Sequence, residues 1–221
     1  MSLQVANLSE QLADHLSERI IKGELMPGER LPEAELAKQL SVSTNSLREE
    51  FHLLEKRHLI EWKPRRGASV CEVTEVQVTD LYDFLFLLLS QLAGRAAARW
   101  QTGQIEDMVM RLPELHRYHE QNDMASAHRL AFELVELAVG RFAGNRYLAD
   151  DIMDLLPLLK RFSYMALQEE TTEFGLTLES FTRLMDNVVN RRVEDAIAGI
   201  REYGDNQCRI VLRALAKRNA A

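Results

Sequence analysis

The sequence predicts a mainly α-helical protein that contains one small β-hairpin, and three observations support this fold class. Leucine, glutamate, arginine and alanine are frequent while β-branched residues are sparse, a composition that favours helices. Apolar residues recur at helical spacing up to about residue 57 and again from residue 75 onwards. Between these stretches, two short apolar runs flank a turn that contains proline and glycine, which indicates a hairpin. The 221 residues, 46% of them hydrophobic, are enough for one large domain or two small ones.

The first 73 residues contain the hairpin and three predicted helices. Gly23 ends the first helix, whose leucines and isoleucines follow helical spacing. Ser43 is of a type that caps helix N-termini, so the third helix is expected to begin there. Pro64 and Gly67 turn the chain between the two strands. Helices are expected over residues 8–22, 33–40 and 43–57, and strands over residues 59–62 and 68–71.

Helix, loop, helix, three-residue turn, helix and hairpin is the element order of a winged helix-turn-helix. The third helix fits the major groove of DNA, which is about 12 Å wide, and the hairpin forms a wing that reaches the backbone or the minor groove. A polar run opens the third helix and offers short donors, together with the helix N-terminus, to phosphates. The alternative is a capped helix and a solvated turn that contact no partner. The candidate DNA-binding residues are Ser43, Thr44, Asn45, Ser46, Arg48, Arg66 and Gly67.

The charge balance argues against one kind of DNA binding. A net charge of −7, from 27 basic and 34 acidic residues, disfavours a protein that coats nucleic acid through bulk charge. DNA binding would therefore depend on a local arrangement of side chains. The two cysteines make no disulfide framework, which predicts reduced thiols and a cytoplasmic protein. No apolar run approaches the roughly 20 residues of a membrane span, so no membrane partner is expected.

Residues 74–221 are predicted to form a second, all-helical domain that follows the winged helix-turn-helix of residues 1–73. Pro113 and Pro157 are expected to kink or restart helices. No nucleophile motif and no pair of carboxylates stands out, so no catalytic residue is assigned and an enzyme is not expected. The expected helices lie near residues 75–100, 104–121, 123–142, 145–169, 174–191 and 193–217.

The first domain resembles the DNA-binding domain of the GntR superfamily of bacterial transcription regulators. The resemblance covers residues 23–70, GELMPGERLPEAELAKQLSVSTNSLREEFHLLEKRHLIEWKPRRGASV. The family typically shows G-x-L-x-P-G-x-x-L-x-E-x-x-L-A, then V-S-R-T-x-V-R-E-A-L, then a P-x-x-G wing. By position, the family's DNA contacts fall on the seven candidate residues. Thr44 and Ala34 stand where the family usually or often has arginine, a residue that grips guanine through two hydrogen bonds.

The second domain resembles the effector-binding bundle of six or seven helices in the FadR-like (FCD-type) subgroup of that superfamily. The resemblance lies in RFAGNRYL at 141–148 and NRRVEDAIAGIREYGDN at 190–206. Most members of the subgroup bind a divalent metal through one aspartate and three histidines. Counting without gaps from these two segments places the four ligand positions on Phe132, Glu136, Phe181 and Tyr203. A register shift of three residues would move the first two positions to Arg129 and Glu133, and no ligand histidine remains in either register. This set cannot hold zinc or nickel, so no metal and no other cofactor is expected.

The same resemblance implies an effector pocket lined mainly by aromatic rings. The family's Arg and Glu on the first helix of this domain fall on Phe86 and Ser90, which makes the pocket less polar. A small organic acid or an acyl-type molecule is therefore the expected effector. Aromatic residues at inward helix positions also suit plain core packing, and a cavity would distinguish the two readings. The candidate effector residues are Phe86, Ser90, Phe132, Glu136, Phe181 and Tyr203.

Together these features predict a ligand-responsive, sequence-specific DNA-binding transcription regulator. We expect a homodimer on a pseudo-palindromic operator of double-stranded DNA, because two-fold protein symmetry maps onto operator symmetry. The alternative is a small-molecule-binding or scaffold protein whose winged helix contacts other proteins rather than DNA.

Overall fold

The computed structural model describes residues 2–63, 65–169 and 174–220. The chain divides into two compact units. The first contains the residues up to Thr74 together with Asp154–Met165, and the second contains Glu75–Met153 and the residues from Ala166 onwards. Pro64, which the sequence predicts to turn the chain within the hairpin, lies outside the described residues.

The first unit has the winged helix-turn-helix architecture that the sequence predicts. Its helices are α1 (Ser2–Ile21), α2 (Glu33–Gln39) and α3 (Thr44–Lys56), and its strands are β1 (Arg30–Leu31), β2 (Ile60–Lys63) and β3 (Gly67–Val70). The strands form an antiparallel sheet in the order β1-β3-β2. Ala68 in the central strand pairs with Leu31 on one side and with Trp62 on the other. The sequence does not predict β1, because two residues are too few to show an alternating pattern.

Helix α3 is held in place by one fully buried face. Leu47, Phe51 and Leu54 are each 0% exposed, and they recur at the spacing of three and four residues that marks one face of a helix. Helix α1 packs against α3, and its Leu16 and Ile20 are buried as well. Each such side chain contributes roughly 1.5–3 kcal/mol when it leaves water, so α3 cannot rotate without losing much of this core. Its polar face therefore points outward.

The described part of the second unit is built from helices, as predicted for a bundle of six or seven. Helices α4 and α10 pack along each other more extensively than any other pair. Residues 154–165 of α8 belong to the first unit, and the rest of these elements belong to the second. The helices are α4 (Glu75–Arg99), α5 (Glu106–Met110), α6 (Leu112–Glu120), α7 (Met124–Phe142), α8 (Arg146–Glu169), α9 (Phe174–Val189) and α10 (Val193–Ala220).

The two prolines in the predicted helices behave differently. The helix expected over 104–121 divides at Arg111 into α5 and α6, and Pro113 lies in the first turn of α6. Proline suits a first turn because its missing N–H would have no partner within the helix. Pro157 lies inside α8, which continues to Glu169. Pro113 thus restarts a helix, whereas Pro157 does not end one.

Helix α4 is long and apolar enough, by length and composition alone, to cross a membrane. Half of its most apolar stretch is buried among the described residues, and core helices of globular bundles pass the same test. Leu85 and Leu92, for example, are 0% and 4% exposed. The apolar character of α4 is thus explained in large part by its packing within the second unit.

Residues 154–165 of α8 add two bonds to the first unit. Lys56, at the end of α3, forms an ion pair with Asp154, with 2.7 Å between Nζ and Oδ2. Arg161 is 4% exposed, and its Nη2 donates a hydrogen bond of 2.7 Å to the backbone carbonyl of Cys71, just after β3. These bonds fix the ends of α3 and of the hairpin within this unit.

The close approach of α10 to α4 gives a test of the packing. A Cβ atom added at Gly204 would overlap Cγ of Phe86, whereas a Cβ added at Gly140 in α7 would meet nothing within 4 Å. Gly204→Ala should lower the free energy of unfolding by about 1–3 kcal/mol through overpacking. Gly140→Ala should be neutral or raise it by up to about 1 kcal/mol, because alanine favours helix. Thermal and urea unfolding of both variants would measure this difference, and equal effects would contradict the described packing.

Candidate nucleic-acid interface and effector site

The N-terminus of α3 is capped by Ser43, as the sequence predicts. The Oγ atom of Ser43 accepts a hydrogen bond of 3.0 Å from the backbone N–H of Ser46 and lies 2.8 Å from the Ser46 Oγ. Both hydroxyls thus take part in the cap and fix where the helix begins. The backbone N–H groups of Thr44 and Asn45 stay at the open end of the helix, where anions bind.

Thr44, Asn45 and Arg48 are exposed on the outward face of α3. Among the described residues, the side chains of Thr44 and Asn45 have no hydrogen-bond partner. Arg48 differs, because its Nε donates a hydrogen bond of 2.7 Å to Oε2 of Glu33 in α2. The Arg48 side chain is nevertheless 55% exposed. The first two turns of α3 therefore present an amide, a hydroxyl and a guanidinium group to the outside.

The tip of the hairpin carries two exposed arginines, Arg65 and Arg66. The turn is closed by a hydrogen bond of 3.0 Å from the N–H of Arg66 to the carbonyl of Lys63. Gly67 follows with a φ of 77°, a left-handed conformation that glycine adopts without a steric penalty. Within the described part of the chain, neither arginine side chain has a hydrogen-bond or ion-pair partner. Both guanidinium groups are thus available to phosphates.

Trp62 in β2 joins the hairpin to α3. Its ring meets Phe51 edge-on, with 5.6 Å between the ring centroids, and stacks on His52 at 5.7 Å. The backbone N–H of Trp62 also donates a hydrogen bond of 3.1 Å to Oε1 of Glu55. The hairpin and the outward face of α3 are therefore held together as one rigid surface. Sequence reasoning assigns no such role to Trp62, because a single aromatic residue in a strand does not reveal its partner.

Two of the six candidate effector residues lie in one aromatic cluster. Tyr82 stacks on Phe86 with 5.2 Å between centroids, and the Phe86 ring lies 6.0 Å from that of Tyr203 in α10. Burial raises the pKa of Tyr203 to about 12 and raises the pKa of Tyr82 well above its usual value. Both phenols thus lie in surroundings that disfavour charge. With Phe86 also packed directly on Gly204, this region is packed core.

The remaining four candidate residues lie on three helices. Ser90 in α4 is 0% exposed, and its Oγ donates a hydrogen bond of 2.8 Å to the carbonyl of Leu87. Phe132 in α7 is buried, with its ring 4.7 Å from that of His128. Glu136 in α7 and Phe181 in α9 are half-buried.

The positions that would carry metal ligands hold unsuitable donors. Phe132 and Phe181 have no ligand atom, and the Tyr203 phenol stays protonated near neutral pH because its pKa is about 12. Glu136 supplies a carboxylate, which is too little for the coordination that zinc or nickel requires. No group of three or more His, Cys, Asp or Glu side chains that could hold a metal occurs in the described ranges. The residues present do not fit a resident metal.

Comparison with protein families gives two matches in succession. Residues 8–70 match "Bacterial regulatory proteins, gntR family", and residues 80–206 match the FCD domain. The chain is 26% identical over 203 residues to "Uncharacterized HTH-type transcriptional regulator YdhC" of Bacillus subtilis (strain 168), which covers 90% of this chain and 88% of that protein. It is 25% identical over 187 residues to the gluconate operon transcriptional repressor of the same organism, which covers 84% of this chain and 74% of that protein.

Solved structures show the same fold. The structure of "E. coli McbR/YncC" matches with a TM-score of 0.79 at 20% sequence identity and covers 93% of this chain and 97% of that one. A putative transcriptional regulator GntR from Rhodococcus sp. RHA1 matches with a TM-score of 0.73 at 22% identity, covering 94% of this chain and 99% of that one. At these identities the likeness concerns the fold.

The half-buried Tyr203 side chain, whose ring packs near Phe86, predicts a specific sensitivity to alkali. Its folded-state pKa, about 12, lies above the ordinary value of 10, so the unfolded chain loses this proton first as the pH rises. The contribution of the phenol to stability is complete below about pH 10 and is lost between about pH 10 and 12. Tyr203→Phe should therefore match the wild type in Tm at pH 8 and exceed it at pH 11, as measured by circular dichroism. Tyr147→Phe, at an exposed position, is the control, and a Tyr203→Phe variant without advantage at pH 11 would contradict the desolvation of the Tyr203 phenol.

Proposed function

The chain belongs to the GntR family of bacterial transcription regulators and carries an FCD effector-binding domain, and from this we propose that it acts as a homodimer on a pseudo-palindromic DNA operator and responds to a small organic effector. An enzymatic function is excluded by this family membership. Since its partner is genomic DNA, we infer that the protein works in the cytoplasm.

The observation that carries the DNA-binding assignment is the set of exposed donors on α3 and on the wing. The capped start of α3 offers backbone N–H groups, Asn45 and Thr44, while Arg48 follows one turn later. Arg65 and Arg66 extend from the hairpin, which Trp62 holds against α3. In folds of this kind, the helix contacts the base edges of duplex DNA and the wing contacts its backbone.

The homodimer is supported by an apolar stripe on α4. Val76, Phe84 and Leu87 are 68%, 47% and 49% exposed, and they lie on one face at helical spacing. An apolar face of this kind is costly in water and favours association with a second copy. In a two-fold dimer the same stripe would serve on both subunits, since such interfaces are self-complementary.

For the effector we propose a molecule with an apolar body, such as an acyl chain or an aromatic acid. The name of one relative links it to gluconate, a polyhydroxylated acid. The six candidate residues here are instead four aromatic rings, one serine whose hydroxyl is bonded locally and one glutamate. These side chains offer few partners for many hydroxyl groups.

The alternative of a scaffold protein has less support. It rests on Thr44 in place of arginine and on the acidic pair Glu49–Glu50. Glu50, however, is 1% exposed and offers its charge to no external partner. Family membership favours DNA over a protein partner at this surface.

The DNA-binding proposal is tested by selecting operators from a random duplex library with the full chain. Enrichment of two inverted half-sites is expected for a homodimer. On the selected operator, Arg48→Ala should raise the Kd about 5- to 100-fold, as for loss of a base contact. Arg66→Ala should weaken binding to all sequences and reduce the salt slope by about 1, as for loss of a phosphate contact.

Arg209→Ala, an exposed position on α10, is the matched control and should bind as the wild type. Circular dichroism confirms that each variant is folded. A selection that enriches no sequence would contradict DNA binding, and enrichment of unrepeated sites would contradict the dimer. Wild-type affinity in both Arg48→Ala and Arg66→Ala would overturn the assignment of contacts.

The effector proposal is tested by thermal unfolding with octanoate, phenylacetate and gluconate. A ligand that binds the native state raises Tm, so octanoate or phenylacetate is expected to stabilise the protein by a few degrees while gluconate does not. Phe181→Ala should reduce the shift. Met110→Ala, at a position in α5 that is 77% exposed, should leave the shift unchanged. Stabilisation by gluconate alone would show that the pocket accepts polar acids instead.

A further inference from the structure

The ion pair between Arg48 and Glu33 links the outward face of α3 to the start of α2. The bond joins Nε of Arg48 to Oε2 of Glu33 at 2.7 Å. Glu33 is the first residue of α2, and its side chain is 22% exposed, less than half the exposure of the arginine. Among the described residues, no group accepts a hydrogen bond from the two Nη atoms of Arg48. The ion pair therefore occupies one of five N–H donors and leaves the other four free.

The donor that is used determines what the guanidinium group can still do. The two Nη atoms form the outer edge of the group, and this edge can bind the O6 and N7 atoms of guanine through two hydrogen bonds. A carboxylate that holds Nε restricts the long side chain to few rotamers. Ordering the side chain before binding matters, because immobilising a flexible side chain when DNA binds costs conformational entropy. The geometry thus prepares Arg48 for a contact made with its outer edge.

The charge of Glu33 has a second effect. A carboxylate beside the DNA-facing surface repels phosphates of any sequence and offsets the attraction of Arg48 for them. The carboxylate suits its own position, since the N-terminus of α2 favours negative charge. Arg48 consequently gains less from phosphate contacts that every duplex offers than from a base edge that only some sequences offer.

We propose that Glu33 is a positioning residue that sets sequence discrimination through Arg48. It orders the guanidinium group for one base contact and weakens binding to unrelated DNA. This inference rests on the proposed function, and it assigns the discrimination to a residue that does not itself contact DNA.

Fluorescence anisotropy with the selected operator and a scrambled duplex of equal length measures the effect. Glu33→Ala is expected to weaken operator binding several-fold and to leave binding of the scrambled duplex equal or tighter. The discrimination ratio, which is the Kd for the scrambled duplex divided by the Kd for the operator, should therefore fall about tenfold. Glu33→Gln retains an acceptor for Nε without the charge, and it should recover most of the operator affinity. In an Arg48→Ala background, Glu33→Ala should no longer change the ratio.

Glu35→Ala is the matched control, because Glu35 lies in the same first turn of α2, is exposed, and has no bond to Arg48. This variant should tighten both duplexes alike and keep their ratio. Equal ratios in Glu33→Ala and Glu35→Ala would overturn the inference, as would a Glu33→Ala effect that persists without Arg48. If Glu33→Ala fails to fold, the Glu33→Gln variant tests the proposal instead. A Glu33→Gln protein whose operator affinity is as low as that of Arg48→Ala would contradict the positioning role. Failure of the wild type to bind any duplex would instead contradict the proposed function itself.

Discussion

Burial of Leu47, Phe51 and Leu54 is the constraint on which the DNA-facing surface depends. A helix with one apolar face has one rotational setting that removes this face from water, and each ring or branched chain adds to the free energy that maintains it. The setting directs Thr44, Asn45 and Arg48 outward without any interaction of their own. The chemistry of the surface is thus decided by residues that do not belong to it.

The same principle acts between α4 and α10, with a different consequence. Gly204 has no side chain, and Phe86 fills the space that a Cβ would take. Tyr82 and Tyr203 complete the cluster, so binding energy that a ligand could have supplied is here supplied by packing. Glu136 in α7 and Phe181 in α9, which take no part in this cluster, are the candidate residues that best suit the proposed effector site.

Much of this fold could be predicted from local sequence signals, whereas contacts between residues far apart in the chain could not. The cap at Ser43, the turn at Gly67 and the helical periodicity of the second unit each depend on neighbours within a few positions. The pairing of Glu33 with Arg48 and the bond from Arg161 to Cys71 join separate elements, and no spacing rule for one helix reveals them. For the effector residues, helical periodicity places rings inward, but it cannot distinguish packing from a pocket.

Charge within the first unit explains how an acidic chain can bind DNA selectively. Lys56 is paired with Asp154 and Lys63 with Glu61, so much of the basic charge near α3 and the wing is balanced inside the protein. Salt dependence grows with the number of phosphates that are neutralised, and a surface with few unbalanced cations neutralises few. Non-specific affinity is then low, and a complex forms mainly where base contacts add to it. A net charge of −7 is consistent with such a regulator, because it disfavours binding to DNA that lacks the proposed base contacts of Arg48.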